Sequence, residues 1–234
     1  MVVVITGGSN GIGLQTALKF NSLNYNVIVL DIRENELLNS KGIIYYKCDV
    51  SNDLKVKEVF TDIKKKFKTI DILINCAGIQ TSDSFMLYDL NKYKRILNTN
   101  YFGSLNCIYE SISAMAQGGR ILNVLSVHSS IPRKYKYAYD ASKSALELTT
   151  KELALEFSDK NITINAVSFG AVNTNMNKDW IKEKSKVQET LEKVPLRIIF
   201  KPEEIAKFIV NIIENFTSYT TGSIFTIDGG RSLM

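Results

Sequence analysis

The strongest constraint on this chain is a repeating alternation of short, near-continuous apolar runs with longer amphipathic stretches. The runs Val2–Thr6, Val27–Asp31, Ile43–Lys47, Ile70–Asn75, Arg120–Ser126, Thr163–Ser168 and Ser223–Ile227 have strand length. Their unbroken apolar character suits parallel strands covered on both faces. Between them, Gly11–Asn24, Leu54–Phe67, Leu90–Gln117, Ala138–Phe157 and Pro202–Phe216 read as helices. Strand–helix repetition implies right-handed βαβ units. The expected fold is therefore α/β: a doubly wound Rossmann fold, with a parallel seven-stranded sheet and helices on both faces. Such sheets bind ligands outside the carboxyl ends of the strands, where the strand order reverses.

Three prolines and the lack of a Gly/Ser tract, repeat or linker point to one domain over residues 1–234. One stretch breaks the alternation. Gly170–Phe200 is long, polar and rich in Asn and Lys, and it contains Trp180. It reads as a helical lid over the substrate, with a plain surface insertion as the alternative.

The formal charge of +5 is mostly scattered lysine. Its one run, Lys64-Lys65-Lys66, continues an amphipathic helix and reads as a solvated face; no nucleic-acid partner is expected. The apolar N-terminus is too short to span a bilayer, so no membrane partner is expected either. Cys48, Cys76 and Cys107 are far apart, and the chain has one histidine. No metal site or disulfide framework is expected; buried free thiols in a reducing, cytoplasmic setting are.

The first strand ends in Thr6-Gly7-Gly8-Ser9-Asn10-Gly11-Ile12-Gly13, and a helix pattern begins at once. Glycines here let the backbone turn sharply and approach a ligand. The helix start offers unpaired N–H groups to a pyrophosphate. The spacing, G-x-x-x-G-x-G, differs from the common dinucleotide fingerprint. Asp31 closes the second strand, where a carboxylate can accept from both ribose hydroxyls of an adenosine and repel a 2′-phosphate. That favours NAD over NADP. Arg33 either pairs with such a phosphate or points to solvent. In Cys48-Asp49-Val50, Asp49 can contact an adenine amino group with Val50 on the ring, or serve as a cap or turn residue before Ser51-Asn52-Asp53.

Tyr139 and Lys143 stand four residues apart, on one face of a helix. Ser126, thirteen residues before Tyr139, ends a strand. A phenol is a poor base at neutral pH, and an ammonium beside it stabilises the phenolate. Tyr139 can then take or return an alcohol proton while Ser126 holds the substrate oxygen. Lys143 can also hold the ribose of a nicotinamide cofactor.

These blocks, with Asn75-Cys76-Ala77-Gly78, Asn98-Thr99-Asn100-Tyr101-Phe102-Gly103 and Ile227-Asp228-Gly229-Gly230, resemble the short-chain dehydrogenase/reductase family over nearly the whole chain. The resemblance implies an NAD(P)-dependent oxidoreductase moving a hydride between a nicotinamide and a secondary alcohol or carbonyl. It adds Asn100 as a fourth catalytic member, supporting a water that relays protons to Lys143. It places Asn75, Ala77 and Gly78 beside the cofactor, uses Val172 and Thr174 at the carboxamide end, and implies a homotetramer or homodimer. Two positions depart from the family pattern: Cys76 replaces an asparagine, and Phe169 replaces a proline. Phe169 cannot fix φ as proline does, so a looser or differently shaped pocket edge is expected.

The stretches around Ser126–Pro132 and Gly170–Thr174 are similar to the glucose 1-dehydrogenase branch, which makes a sugar or polyol the first substrate class. Gln80, His128, Lys134, Tyr135 and Asn175 are candidate pocket residues. A 3-oxoacyl thioester reductase and a hydroxysteroid dehydrogenase of the same family are alternatives. A nucleotide-sensing protein without catalysis is a further one, which the presence of both Tyr139 and Lys143 opposes.

Overall fold

The structure is a computed structural model describing residues 1–216 and 219–234. Seven strands form one sheet: β1 (Val2–Thr6), β2 (Asn26–Asp31), β3 (Ile44–Lys47), β4 (Ile70–Asn75), β5 (Met115–Val124), β6 (Thr163–Phe169) and β7 (Ile224–Ile227). The order is β3-β2-β1-β4-β5-β6-β7, and every pairing is parallel. The doubly wound fold expected from the apolar runs is the fold observed. The chain reverses direction across the sheet between β1 and β4, where Thr6 stands opposite Asn75.

Nine helices connect the strands among the described residues: α1 (Gly11–Asn21), α2 (Glu36–Ser40), α3 (Asp53–Phe67), α4 (Leu90–Leu97), α5 (Gly103–Ile112), α6 (Tyr137–Glu156), α7 (Lys178–Ile181), α8 (Lys184–Glu192) and α9 (Pro202–Asn215). Successive strand residues point to opposite faces. Val3 and Ile5 therefore pack with Ala17 and Phe20 of α1 and Ile205 and Ile209 of α9. Val2 and Val4 pack with Val56, Phe60 and Ile63 of α3 and with Cys107 and Ile108 of α5. Burial on both faces explains why the strands read as unbroken apolar runs. Each fully buried side chain such as Phe20 or Phe60 contributes about 1.5–3 kcal/mol.

Two expectations need correction, and one helix is not foreshadowed by the sequence reading. The stretch Leu90–Gln117 is not one helix. A π-helical turn, Asn98–Phe102, separates α4 from α5, and the chain is already in β5 by Met115. The polar segment Glu36–Ser40 is helical, capped by Asn35 accepting from the Leu37 N–H. Ser126 lies just beyond the end of β5 and caps the single turn Val127–Ser129. The Lys64–Lys66 run sits in the last turn of α3, where Lys64 reaches Glu110 at 3.2 Å and Ser113 at 2.8 Å. No described helix is long and apolar enough to cross a membrane.

Candidate active site

A cleft of about 750 Å³ opens outside the carboxyl ends of the strands, over the β1/β4 reversal. One wall is the turn between β1 and α1. Gly7 has φ +66°, and a Cβ there would lie 2.7 Å from the Ala77 Cα, so only glycine lets this turn meet the loop after β4. At Gly13 a Cβ would stand 2.3 Å from the Gly7 carbonyl oxygen, so the start of α1 presses directly on the turn. Thr6 Oγ1 accepts from the N–H groups of Cys76 and Ala77, both at 3.1 Å, and ties the two sides of the reversal together.

The helix start is shaped for an anion. Asn10, its N-cap residue, makes no side-chain cap bond, and the first turn holds no carboxylate. The N–H groups and the positive dipole end of α1 are therefore left for a ligand. Ser9 Oγ is buried with no hydrogen-bond partner among the described residues, a donor placed without a protein acceptor. These features fit a dinucleotide pyrophosphate. Asp31 lines the cleft, with its carboxylate accepting from the N–H groups of Ser9 at 3.0 Å and Arg33 at 3.2 Å. Arg33 lines it as well. Asp49 and Val50 form the next part of the wall. Asp49 also accepts from the Ser51 N–H and hydroxyl at 2.9 and 2.7 Å, so the turn role and the wall position coexist.

Gly7, Asn10, Gly11, Ile12, Ala77, Gly78, Val172 and Thr174 all line the cleft. Ser9, Gly13 and Asn75 lie behind its surface. Asn75 turns into the sheet instead, donating to Asn123 at 2.9 Å, and Asn123 donates to Thr150 of α6 at 2.9 Å. This buried chain ties β4 and β5 to the helix that carries the tyrosine. Gln80 and Asn175 are also wall residues. Lys134 and Tyr135 are exposed, and neither they nor His128 reach the wall. His128 is held by its ring Nδ1 on the Ile131 carbonyl at 2.9 Å. Burial, helped by the charge of Arg133, depresses its pKa to about 4, so the ring is neutral and donates that bond.

Ser126, Tyr139 and Lys143 meet at the inner end of the cleft, all three in its lining and all buried. Tyr139 and Lys143 lie in the first turns of α6, and Ser126 stands near enough to the Tyr139 phenol to favour its ionised form. Lys143 Nζ donates to the Val124 carbonyl at 2.7 Å, and burial pulls its pKa down to about 8. The expected pairing of ammonium with phenol is altered here. Burial holds the Tyr139 phenol above its ordinary value, and the groups that oppose this are Arg133 and Ser126. The Lys143 ammonium is 5.9 Å from the ring centre and committed to a carbonyl.

Asn100 sits in the π turn, fully buried. It accepts from the Ile79 N–H at 2.8 Å and donates to the Ile79 carbonyl at 2.9 Å and to Ser142 Oγ at 3.0 Å. It thus clamps the loop after Gly78 to α6, one residue before Lys143. A helix-interior asparagine gives no such signal in sequence. Arg95 and Thr99 were not singled out by sequence and line the cleft; Arg133, which sequence offers only as part of a basic, aromatic loop, lies over the Tyr139 ring.

The two family departures have structural answers. Phe169 is buried at the end of β6 and paired in register with Ile227, and the Gly170 N–H donates to the Ile227 carbonyl at 3.1 Å. The β7 ladder thus holds the pocket edge where a proline ring would otherwise restrict it. Cys76 lines the cleft, and burial pushes its thiol up to about 11, against the pull of Lys143.

A sequence profile described as Enoyl-(Acyl carrier protein) reductase matches residues 7–232. Glucose 1-dehydrogenase 2 of Bacillus subtilis is 29% identical over 98% of this chain and 94% of that protein. The 3alpha-hydroxysteroid dehydrogenase of Mediterraneibacter gnavus is 30% identical over 97% and 95%. Among solved structures, Thermoplasma acidophilum aldohexose dehydrogenase matches with TM-score 0.91 at 30% identity, covering 100% of this chain and 94% of that one. The structures of 4-hydroxyisoleucine dehydrogenase with NADH and of ElxO with NADP match with TM-scores of 0.93 and 0.92, at 28% and 30% identity, each covering 100% of this chain and 99% of the other. With the glycine-rich turn, the Ser126/Tyr139/Lys143 convergence and a profile match over nearly its whole length, this chain belongs to the short-chain dehydrogenase/reductase family.

Proposed function

We propose that this protein oxidises a secondary alcohol, or reduces the matching carbonyl, with NAD, using Tyr139 as the acid–base group. The observation that carries the reading is the convergence of Ser126, Tyr139 and Lys143 on a cleft continuous with the glycine-rich turn. A nicotinamide cofactor, when bound, supplies or accepts the hydride. Its diphosphate belongs at the start of α1, against Ser9 to Gly13, and its adenosine end beside Asp31, Asp49 and Val50. Asn75 supports its place only through the sheet, by fixing the strand below Ala77 and Gly78. Val172 and Thr174 face the carboxamide end.

Tyr139 takes the alcohol proton in oxidation and returns it in reduction. Ser126 donates to the substrate oxygen and steadies the charge that grows there. Lys143 holds its proton at the cleft wall, and Asn100, in the π turn, supports a water that relays protons to it. Replacing Tyr139 with Phe tests the assignment. Turnover is expected to fall about 10²–10⁴-fold, with cofactor affinity retained. Normal turnover by Tyr139→Phe would refute the acid–base role.

NAD is favoured because the Asp31 carboxylate is fixed in the wall by two N–H groups, where a 2′-phosphate would meet like charge. Relatives with NADH and with NADP both exist, and Arg33 shares the wall. A clear NAD preference in kcat/KM is the expected result; equal turnover with NADP would overturn it. A sugar or polyol is the first substrate class, on the likeness to glucose and aldohexose dehydrogenases. The hydroxysteroid reading follows from the equally similar steroid enzyme. A panel of aldoses, polyols and hydroxysteroids separates them.

Residues 170–200 are proposed as the lid. Asn175 donates to Asn10 at 3.4 Å, and Gln80 donates to the Met176 carbonyl at 2.9 Å, so the segment is strapped to both walls. Three free thiols support a reducing, cytoplasmic setting. Exposed Tyr109 at 78% and Leu155 at 79% support assembly into a homodimer or homotetramer through α5 and α6.

A further inference from the structure

The loop before α6 carries a second cation to the reactive phenol, one that the Tyr–Lys spacing does not foreshadow. Arg133 is gripped at two points by Asp140. Its guanidinium Nη2 donates to Oδ1 at 2.9 Å, and its backbone N–H donates to Oδ2 at 3.1 Å. Asp140 directly follows Tyr139, so the grip and the phenol ride on the same turn of α6. The guanidinium carbon is 5.5 Å from the centre of the Tyr139 ring, nearer than the Lys143 nitrogen at 5.9 Å. Its Nε is buried with no hydrogen-bond partner among the described residues, so one arm of the fork remains uncommitted. A surface loop arginine held only for packing has no need of this arrangement.

We infer that Arg133, anchored by Asp140, is a positioning residue that electrostatically stabilises the phenolate of Tyr139, so that two cations flank this tyrosine. The inference rests on the acid–base reading of Tyr139. The groups facing the ring are Arg133 from the loop, Ser126 from the end of β5, Cys76 from the loop after β4, and Asp140 and Lys143 from α6. Burial is the largest influence and raises the phenol; Arg133 is the largest that lowers it, followed by Ser126, while Asp140 and Cys76 raise it. Lys143 is held away from the phenol by its bond to the Val124 carbonyl, while the ion pair with Asp140 holds the Arg133 guanidinium over the ring.

The test reads the tyrosine directly, without substrate. The tyrosinate absorbance of the full chain is titrated and corrected with that of Tyr139→Phe, which isolates the Tyr139 inflection. Arg133→Met is expected to move it upward by about one pH unit, the low end for an opposite charge at this range. Arg133→Gln, which still reaches Asp140, gives the same result if the Met variant does not fold. Arg133→Lys keeps the inflection near that of the parent. An unmoved inflection in the neutral variants, or an equal move in Arg133→Lys, overturns the inference. Turnover of Tyr139→Phe is measured alongside: normal turnover removes the acid–base reading itself, whereas its loss with an unmoved Arg133→Met inflection removes only the role of Arg133.

Discussion

At the scale of single residues, the site is governed by what burial does to charge. Lys143 titrates near 8 because desolvation penalises its ammonium. Its folded pKa lies below the unfolded one, so the unfolded chain binds more protons between about 8 and 10.5. Its contribution to stability therefore grows as pH rises through that window. His128 obeys the same sign at lower pH. Its pKa falls from 6.5 to about 4 on folding, so stability is lost as pH drops through that interval. His128→Gln is expected to flatten the pH dependence of the urea midpoint across the window; an unchanged slope would show that the ring is not the group responsible. The tyrosine, the lysine and the strand-end serine were legible from spacing, because a helix face and a strand end are short-range facts. Arg133 was not, since its meaning depends on a loop folding back over a ring. His128, Lys134 and Tyr135 were read as pocket residues because they neighbour Ser126 in sequence, yet the loop turns them away from the wall.

At the scale of elements, six strands were read to within a residue because burial on both faces leaves an unbroken apolar signature, whereas β5, read as Arg120–Ser126, runs from Met115 through a polar Gln117-Gly118-Gly119 start to Val124. The helices were read less well where polar side chains bond locally. Glu36–Ser40 begins on an asparagine cap, not an apolar stripe. Leu90–Gln117 kept a helical composition throughout, and the π turn within it is visible only in three dimensions. Two predictions belong here. Gly13→Ala would drive a methyl into the Gly7 carbonyl. A loss of about 1–3 kcal/mol in unfolding free energy is expected, with weaker NAD binding by calorimetry. Asn100→Ala removes the three bonds that join Ile79 and Ser142. The expected loss is about 1–3 kcal/mol for the buried partners left unpaired, with kcat falling more than cofactor affinity. If affinity alone fell, the clamp would matter only to the cofactor.

At the scale of the whole molecule, two helices present apolar rows outward. Leu148 and Leu155 of α6 are seven residues apart and both exposed, as are Phe102, at the end of the π turn, and Tyr109 of α5. Seven residues is nearly two turns, so each pair shares a face. If the proposed assembly uses this face, Tyr109→Glu with Leu155→Glu reduces the light-scattering mass from that of the parent to that of a single chain of 26.3 kDa; a parent already at the single-chain mass, or an unchanged variant mass, would refute it. The sheet order has a further consequence, one of timing. The central pairing joins Val3 to Ile72, so β1 must wait for the chain to come back around before it finds its second neighbour. All seven strands are parallel, and none is finished by a hairpin. Non-local closure of this kind makes folding slow. The cleft lies over that late-closing seam, so cofactor finds a binding site only in chains that have already completed it. Bound cofactor then withdraws molecules from the unfolding equilibrium. In the cell, the survival time of this enzyme would follow its supply of dinucleotide.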